Sequence, residues 1–171
     1  MMKVLVVVAS KHGSTREIAQ AIAEELRKSE LSVDLKDANE ATQVVGYDAV
    51  VLGSAIYAGN WLPEAKSFAE YHRAELSKLP VWLFSSGPIG AVNPQPHDDP
   101  VKLAASMGDV TSNDHHIFVG KLDPADLSFA ERLIAKAVRS PSGDFRDWDE
   151  VRTWAEGIAQ ELLAQPTPFT L

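Results

Sequence analysis

Six consecutive residues, Ser10, Lys11, His12, Gly13, Ser14 and Thr15, bring together three hydroxyls, two basic side chains and one glycine. Hydroxyls donate to anionic oxygens, and charged donors make the stronger bonds, so this composition suits a phosphate. The preceding run, Val4 to Ala9, is apolar, and the following run, from Glu17 onward, has helical periodicity. A loop between a strand and a helix exposes the helix's unpaired amides, which favour an anion. Gly13 permits close backbone approach. The loop has neither the G-x-G-x-x-G spacing of dinucleotide sites nor the Gly-Lys-Ser/Thr of triphosphatases. The expected ligand group is therefore a monophosphate held by hydroxyls and amides. An ordinary helix start with Ser14 as its cap is the alternative reading.

Two further loops carry ligand-suited residues. The stretch GSAIYAGNWLP supplies Ser54, Ala55, Ile56, Tyr57, Ala58, Gly59, Asn60 and Trp61. The stretch SSGPIGAVN supplies Ser86, Gly87, Pro88, Ile89 and Gly90. With the phosphate loop, they suit a planar heteroaromatic ring on a phosphate tail, with Trp61 as a lid over the ring or as a surface aromatic. His12 is placed to assist the phosphate, and His97 is a proton-donor candidate near the ring. His115 and His116 are adjacent, and neighbouring residues of an extended chain face opposite ways, so they do not read as a metal pair. No Ser-His-Asp or paired-carboxylate set suggests hydrolysis, and no catalytic side chain is assigned.

The elements that position these loops follow from the hydrophobic pattern. Strands are expected at Lys3 to Ala9, Leu31 to Leu35, Tyr47 to Gly53, Val81 to Ser85 and Ile117 to Gly120. Helices are expected at Thr15 to Lys28 and at Pro63 to Leu76, with Pro63 in the first turn. A short helix is also expected within Lys36 to Gly46. Ser128 to Glu131 and Asp147 to Glu150 both read as capping boxes, opening a helix near Phe129 to Arg139 and a last helix to about Leu163. The Phe129 to Arg139 helix has an apolar and a basic side, suited to packing on its own sheet or to a membrane surface. Trp82, Trp148 and Trp154 read as packing residues. This alternation predicts a doubly wound α/β fold, five parallel strands with helices on both faces. One domain is expected over residues 1–165, with a tail at 166–171.

The chain has 171 residues, no cysteine and a formal net charge of −8. Without cysteine there is no disulfide, thiolate metal site or redox dithiol, so any electron transfer needs a bound cofactor. The negative charge disfavours nucleic acid. No apolar run reaches the ~20 residues of a membrane span, and no secretory signal is evident. The expectation is a cytoplasmic protein with at most peripheral membrane contact.

The stretches SKHGSTREIAQAIAEEL, YDAVVLGSAIYAGNW and GDFRDWDEVRTWAEGIAQEL, in that order, resemble the flavodoxin superfamily. SKHGST is similar to its Thr/Ser-x-Thr-Gly-x-Thr phosphate loop, with His12 at a hydroxyl position. More narrowly, the chain resembles the flavodoxin-like menaquinone-dependent protoporphyrinogen oxidases over almost its whole length. The resemblance implies bound FMN, its phosphate at Ser10 to Thr15 and its ring between Ser54 to Trp61 and Ser86 to Ala91. It implies an oxidoreductase exchanging electrons with a redox partner protein or a quinone. The alternatives are a carrier with no substrate of its own and a deazaflavin-binding relative. Two features depart from the oxidase pattern: Tyr57 stands where it has an arginine, and NPQPHDDP is acidic where it is basic. No Lys or Arg lies between Gly53 and Trp61 or between Ser85 and Asp99. Should a cation reach the ring from another segment, Lys121 and Arg146 are the first to suspect.

Overall fold

The computed structural model describes residues 1–57, 60–87, 110–122, 125, 128–137 and 143–165. In chain order the elements are β1 (Lys3–Ala9), α1 (Ser14–Lys28), β2 (Ser32–Asp37), β3 (Ala49–Tyr57), β4 (Asn60–Trp61), α2 (Pro63–Tyr71) and α3 (Arg73–Leu76). They continue with β5 (Val81–Ser86), β6 (Asp114–Phe118), β7 (Lys121–Leu122), α4 (Phe129–Ala137), β8 (Gly143–Asp144) and α5 (Trp148–Ala164).

Five strands form a parallel sheet in the order β2-β1-β3-β5-β6, as the alternating pattern requires. β1 lies between two neighbours with helices on both faces, so every residue from Val4 to Ala9 is buried. Val4, Val6 and Val8 join one core with α1 and α5. Leu5, Val7 and Ala9 join the other with α2 and α3. Burying both faces of one strand is what its unbroken Val/Leu run encodes.

The sheet admits one close contact that its sequence must respect. Gly53 of β3 pairs in register with Phe84 of β5. A Cβ on Gly53 would lie 2.0 Å from the Phe84 ring, so that ring occupies the missing side chain's space.

The structure moves several expected boundaries. The third strand continues past Gly53 to Tyr57 and turns back as the short antiparallel β4. The fifth begins at Asp114 and ends at Phe118 rather than Gly120. The helix expected from Pro63 to Leu76 breaks at His72, which ends α2 and opens α3. Lys36 to Gly46 holds no helix. Ala38 donates its N–H to Val8, and Glu40 and Ala41 both bond back to Asp37, which makes a single turn. β7 and β8 form a separate antiparallel pair that the sequence did not suggest. Among the described residues, no helix is long and apolar enough to cross a membrane.

Candidate functional site

The sheet brings three loop origins to one edge. Ala9, Ser54 and Ser85 share one row of the register across β1, β3 and β5. Sequence order reverses between β1 and β3, the switch point at which open α/β sheets take ligands beyond their carboxyl ends.

The loop after β1 is shaped for an anion. Gly13 has φ +89°, in the left-handed region, with open space where a Cβ would stand. Gly13, not Ser14, is the cap of α1, and no side chain caps the helix. Ser10 Oγ instead accepts the Gly13 N–H at 3.1 Å and holds the turn. Thr15 is 1% exposed and sits under the first turn. The geometry offers uncapped first-turn amides, a glycine corner and the basic side chains of Lys11 and His12, a donor set that fits a phosphate. A cavity of about 280 Å³ adjoins the loop, lined by Ser10, Gly13, Arg16, Asp37, Asn39 and Glu64 among others.

Both basic residues of the loop meet Glu131 of α4. Lys11 Nζ donates to Glu131 Oε1, and His12 Nε2 lies 3.4 Å from the same oxygen without a hydrogen bond. The Lys11 bond, followed by the Ser128 N–H, pushes the Glu131 carboxyl down to about 2. Lys11 Nζ also lies 5.3 Å from the centre of the Tyr57 ring. Burial, followed by the charge of Glu131, pushes the Tyr57 hydroxyl up to about 12 and keeps it protonated.

Two other expected site residues, Ser54 and Trp61, have their partners inside the scaffold. Ser54 is fully buried; its hydroxyl donates to the Ala55 carbonyl at 2.8 Å and accepts the Leu62 N–H at 3.0 Å. Trp61 is neither lid nor surface aromatic. It is 2% exposed in the α2-side core, and its indole N–H donates to Ser85 Oγ at 2.8 Å. Packing takes the ring, and Ser85 satisfies its one polar atom. His115 Nε2 lies 2.8 Å from the same oxygen. His116 bonds Glu150 at 2.8 Å, so the two histidines do point to opposite sides. Ala55 is buried, Ile56 and Tyr57 are half-buried, and Asn60 accepts from Lys66 at 3.3 Å. Ser86 is buried; Gly87 has φ +98° and donates its N–H to Phe118. Ala58, Gly59, Pro88, Ile89, Gly90 and His97 lie outside the described residues, as does the acidic loop at 93–100.

Arg146, a cation suspected of reaching the ring, braces the loop after β1 and the first turn of α1. Its side chain is 5% exposed. It donates to Asp144 at 2.6 and 2.8 Å, to the Ser14 carbonyl at 3.2 Å and to Glu17. Its guanidinium lies 4.6 Å from the Trp148 ring centre. Sequence reasoning had no signal for this, since Ser14 and Arg146 are 132 positions apart. A larger cavity, about 510 Å³, lies between β6 and α5 and is lined by Trp82, Trp154 and several carboxylates, with none of the expected cofactor residues.

The α4 helix departs from its expected packing. Phe129 is 77% and Leu133 54% exposed, so these two apolar residues do not pack on the sheet. Glu131 of the same helix accepts from Lys11.

The Flavodoxin domain family model matches residues 5–149. The chain belongs to that family. It is 26% identical to the protoporphyrinogen IX dehydrogenase [quinone] of Escherichia coli K12, over 97% of this chain and 99% of that protein. It is 34% identical to the probable flavodoxin 1 of Bacillus subtilis, over 51% of this chain and 58% of that one. Among solved structures, a flavodoxin from the domain Archaea superposes with a TM-score of 0.62 at 16% identity, over 95% of this chain and 99% of that one. The flavodoxin-like doubly wound fold expected from the sequence is the fold observed. The deazaflavin alternative has no support in these relatives and is set aside.

Proposed function

We propose that this chain is a single-domain FMN protein, spanning 1–165, that works as a small oxidoreductase. The observation that carries the reading is the uncapped amino end of α1 behind the Gly13 corner, at the β1/β3 switch point, with Lys11 and His12 beside it. Ser10, Thr15 and the amides from Ser14 to Arg16 would hold the phosphate. The β3 exit at Ile56 and Tyr57 and the β5 exit at Ser86 and Gly87 would flank the ring. When bound, the flavin supplies one- and two-electron chemistry, while the protein supplies binding, orientation and electrostatics. The partner class is a redox protein or a quinone. The purified protein's visible spectrum and a titration of apoprotein with FMN test this reading. Absence of flavin absorbance together with no FMN binding would refute it.

The full-length similarity to the E. coli enzyme favours a second reading, a quinone-linked dehydrogenase of a porphyrinogen. Tyr57 at the arginine position and the acidic 93–100 loop weaken the case for a substrate bearing propionates. Anaerobic protoporphyrinogen oxidation with a menaquinone analogue separates the two. Efficient flavin-dependent turnover establishes the dehydrogenase; electron exchange with a reductase without such turnover establishes the carrier.

A further inference from the structure

Glu131 does two jobs from one carboxylate. Oε2 accepts the Ser128 N–H at 2.8 Å, and the Glu131 N–H donates back to Ser128 Oγ at 3.3 Å, which closes the capping box of α4. Oε1 reaches into the phosphate loop, where it accepts from Lys11 and lies 3.4 Å from His12 Nε2. The same carboxylate that starts α4 therefore fastens it to a loop 120 positions earlier. It stays ionised at any ordinary pH. The His12 Nε2 atom is buried and makes no hydrogen bond, so part of the loop's donor capacity stands unused.

A phosphomonoester carries about −1.5 to −2 charges near neutral pH. Entering the loop, it meets the same two basic side chains that Glu131 engages, and it meets Glu131 as a like charge at short range. We propose that Glu131 is an internal counter-anion of the phosphate loop: it holds Lys11, beside the unbonded His12 Nε2, while no phosphate is bound, and it gives Lys11 up when one enters. Cofactor loading then loosens the tie between the loop and α4. The charge of Glu131 thus sets how tightly the site discriminates a phosphorylated ligand from its unphosphorylated counterpart. This rests on the FMN reading above.

The test uses Glu131→Gln, which keeps an oxygen to accept the Ser128 N–H and removes the charge. Apoprotein is titrated with FMN and, separately, with riboflavin, which lacks the phosphate, by flavin fluorescence. The variant should bind FMN about tenfold more tightly, one like charge at a partly exposed site, and bind riboflavin as wild type does. Hydrogen exchange of the α4 amides supplies a readout independent of redox activity. In wild type, FMN should speed exchange in α4; in the variant, exchange should already be fast and insensitive to FMN. Ser128→Ala is the control, since it frays the cap without altering charge; it should speed α4 exchange and leave FMN affinity within about twofold. Unchanged or weaker FMN binding by the variant, or an equal gain for riboflavin, overturns the proposal while wild-type FMN binding upholds the cofactor assignment. Failure of every form to bind FMN overturns both.

Discussion

Replacing Arg146 with alanine removes the brace between the β8 segment and the first turn of α1. The full loss for breaking a buried ion pair is ~3–5 kcal/mol, because a charge is stranded away from water. Here the stranded partners are Asp144 and Glu17, whose side chains are 44% and 55% exposed, so water takes over much of their solvation. What remains is the Ser14 carbonyl bond, the discounted charge-assisted bonds and the stacking on Trp148. These sum to about 2 kcal/mol. For a chain of this size that is a fall in Tm of about 4–8 °C. The pH dependence supplies a sharper check. Hydrogen bonding to Arg146 holds the Asp144 carboxyl at about 2, below the ordinary value of 3.8. A depressed carboxyl contributes stability above its unfolded pKa and loses it as pH falls toward the folded one. The gap between wild type and Arg146→Ala should therefore be full at neutral pH and narrow below about pH 4. Urea midpoints from about pH 6 to about pH 3 measure it. A loss under about 0.5 kcal/mol at neutral pH, or a gap that stays constant through the acid range, refutes the account of Arg146 as a brace.

Ser10→Ala with Thr15→Ala should weaken FMN binding by roughly 3–6 kcal/mol if both hydroxyls serve the phosphate and their contributions add; unchanged affinity in a fluorescence titration would remove the phosphate assignment. Gly53→Ala places a Cβ 2.0 Å from the Phe84 ring and should cost about 3 kcal/mol or more in chemical unfolding, with Gly53→Ala/Phe84→Leu recovering part of it. Burial and the bond to Asp34 push the Tyr47 hydroxyl up to about 12, so the neutral phenol's contribution is complete below about pH 10 and disappears as pH rises to 12. Ultraviolet titration should accordingly show one fewer late-ionising phenol in Tyr47→Phe than in wild type.

Local pattern carried most of the fold. The Val/Leu run of β1 announced a two-sided strand, and Ile18, Ala19, Ile22, Ala23 and Leu26 announced the buried face of α1; all five are fully buried. Asp147 was recognised as a cap and does accept from Asp149 and Glu150, but Glu150 turns to His116 rather than completing a reciprocal box. The strand-to-helix loop at Ser10 to Thr15 was legible because its residues are contiguous. Trp61 was misplaced because composition shows a ring's size but not the hydroxyl awaiting its N–H, here Ser85 on another strand. Glu131 was seen as a cap and not as a partner of Lys11, because the second contact depends on how α4 lies against a distant loop. For α4 the sequence left packing on the sheet and a surface placement both open, because amphipathic periodicity defines an apolar stripe but not the direction it faces; Phe129 and Leu133 are exposed.

The order of the sheet leaves β2 and β6 as its outer strands among the described residues. An outer strand has unused backbone donors and acceptors and is a template for pairing with another chain, the usual start of fibrillar aggregation. β2 reads Ser-Val-Asp-Leu-Lys-Asp, with Asp34, Lys36 and Asp37 interrupting its apolar positions. Tyr47 donates to Asp34 at 2.7 Å and Lys3 lies 3.3 Å from it, which keeps that carboxylate ionised along the rim. On the opposite rim β6 opens with Asp114, which accepts the Trp154 indole N–H at 2.7 Å. A chain zipping onto either rim must strip water from these charges. The interior strands, with their Val-rich segments, are thereby fenced on both sides, and neutralising Asp34, Lys36 and Asp37 together should increase deposition from concentrated solution, as read by turbidity.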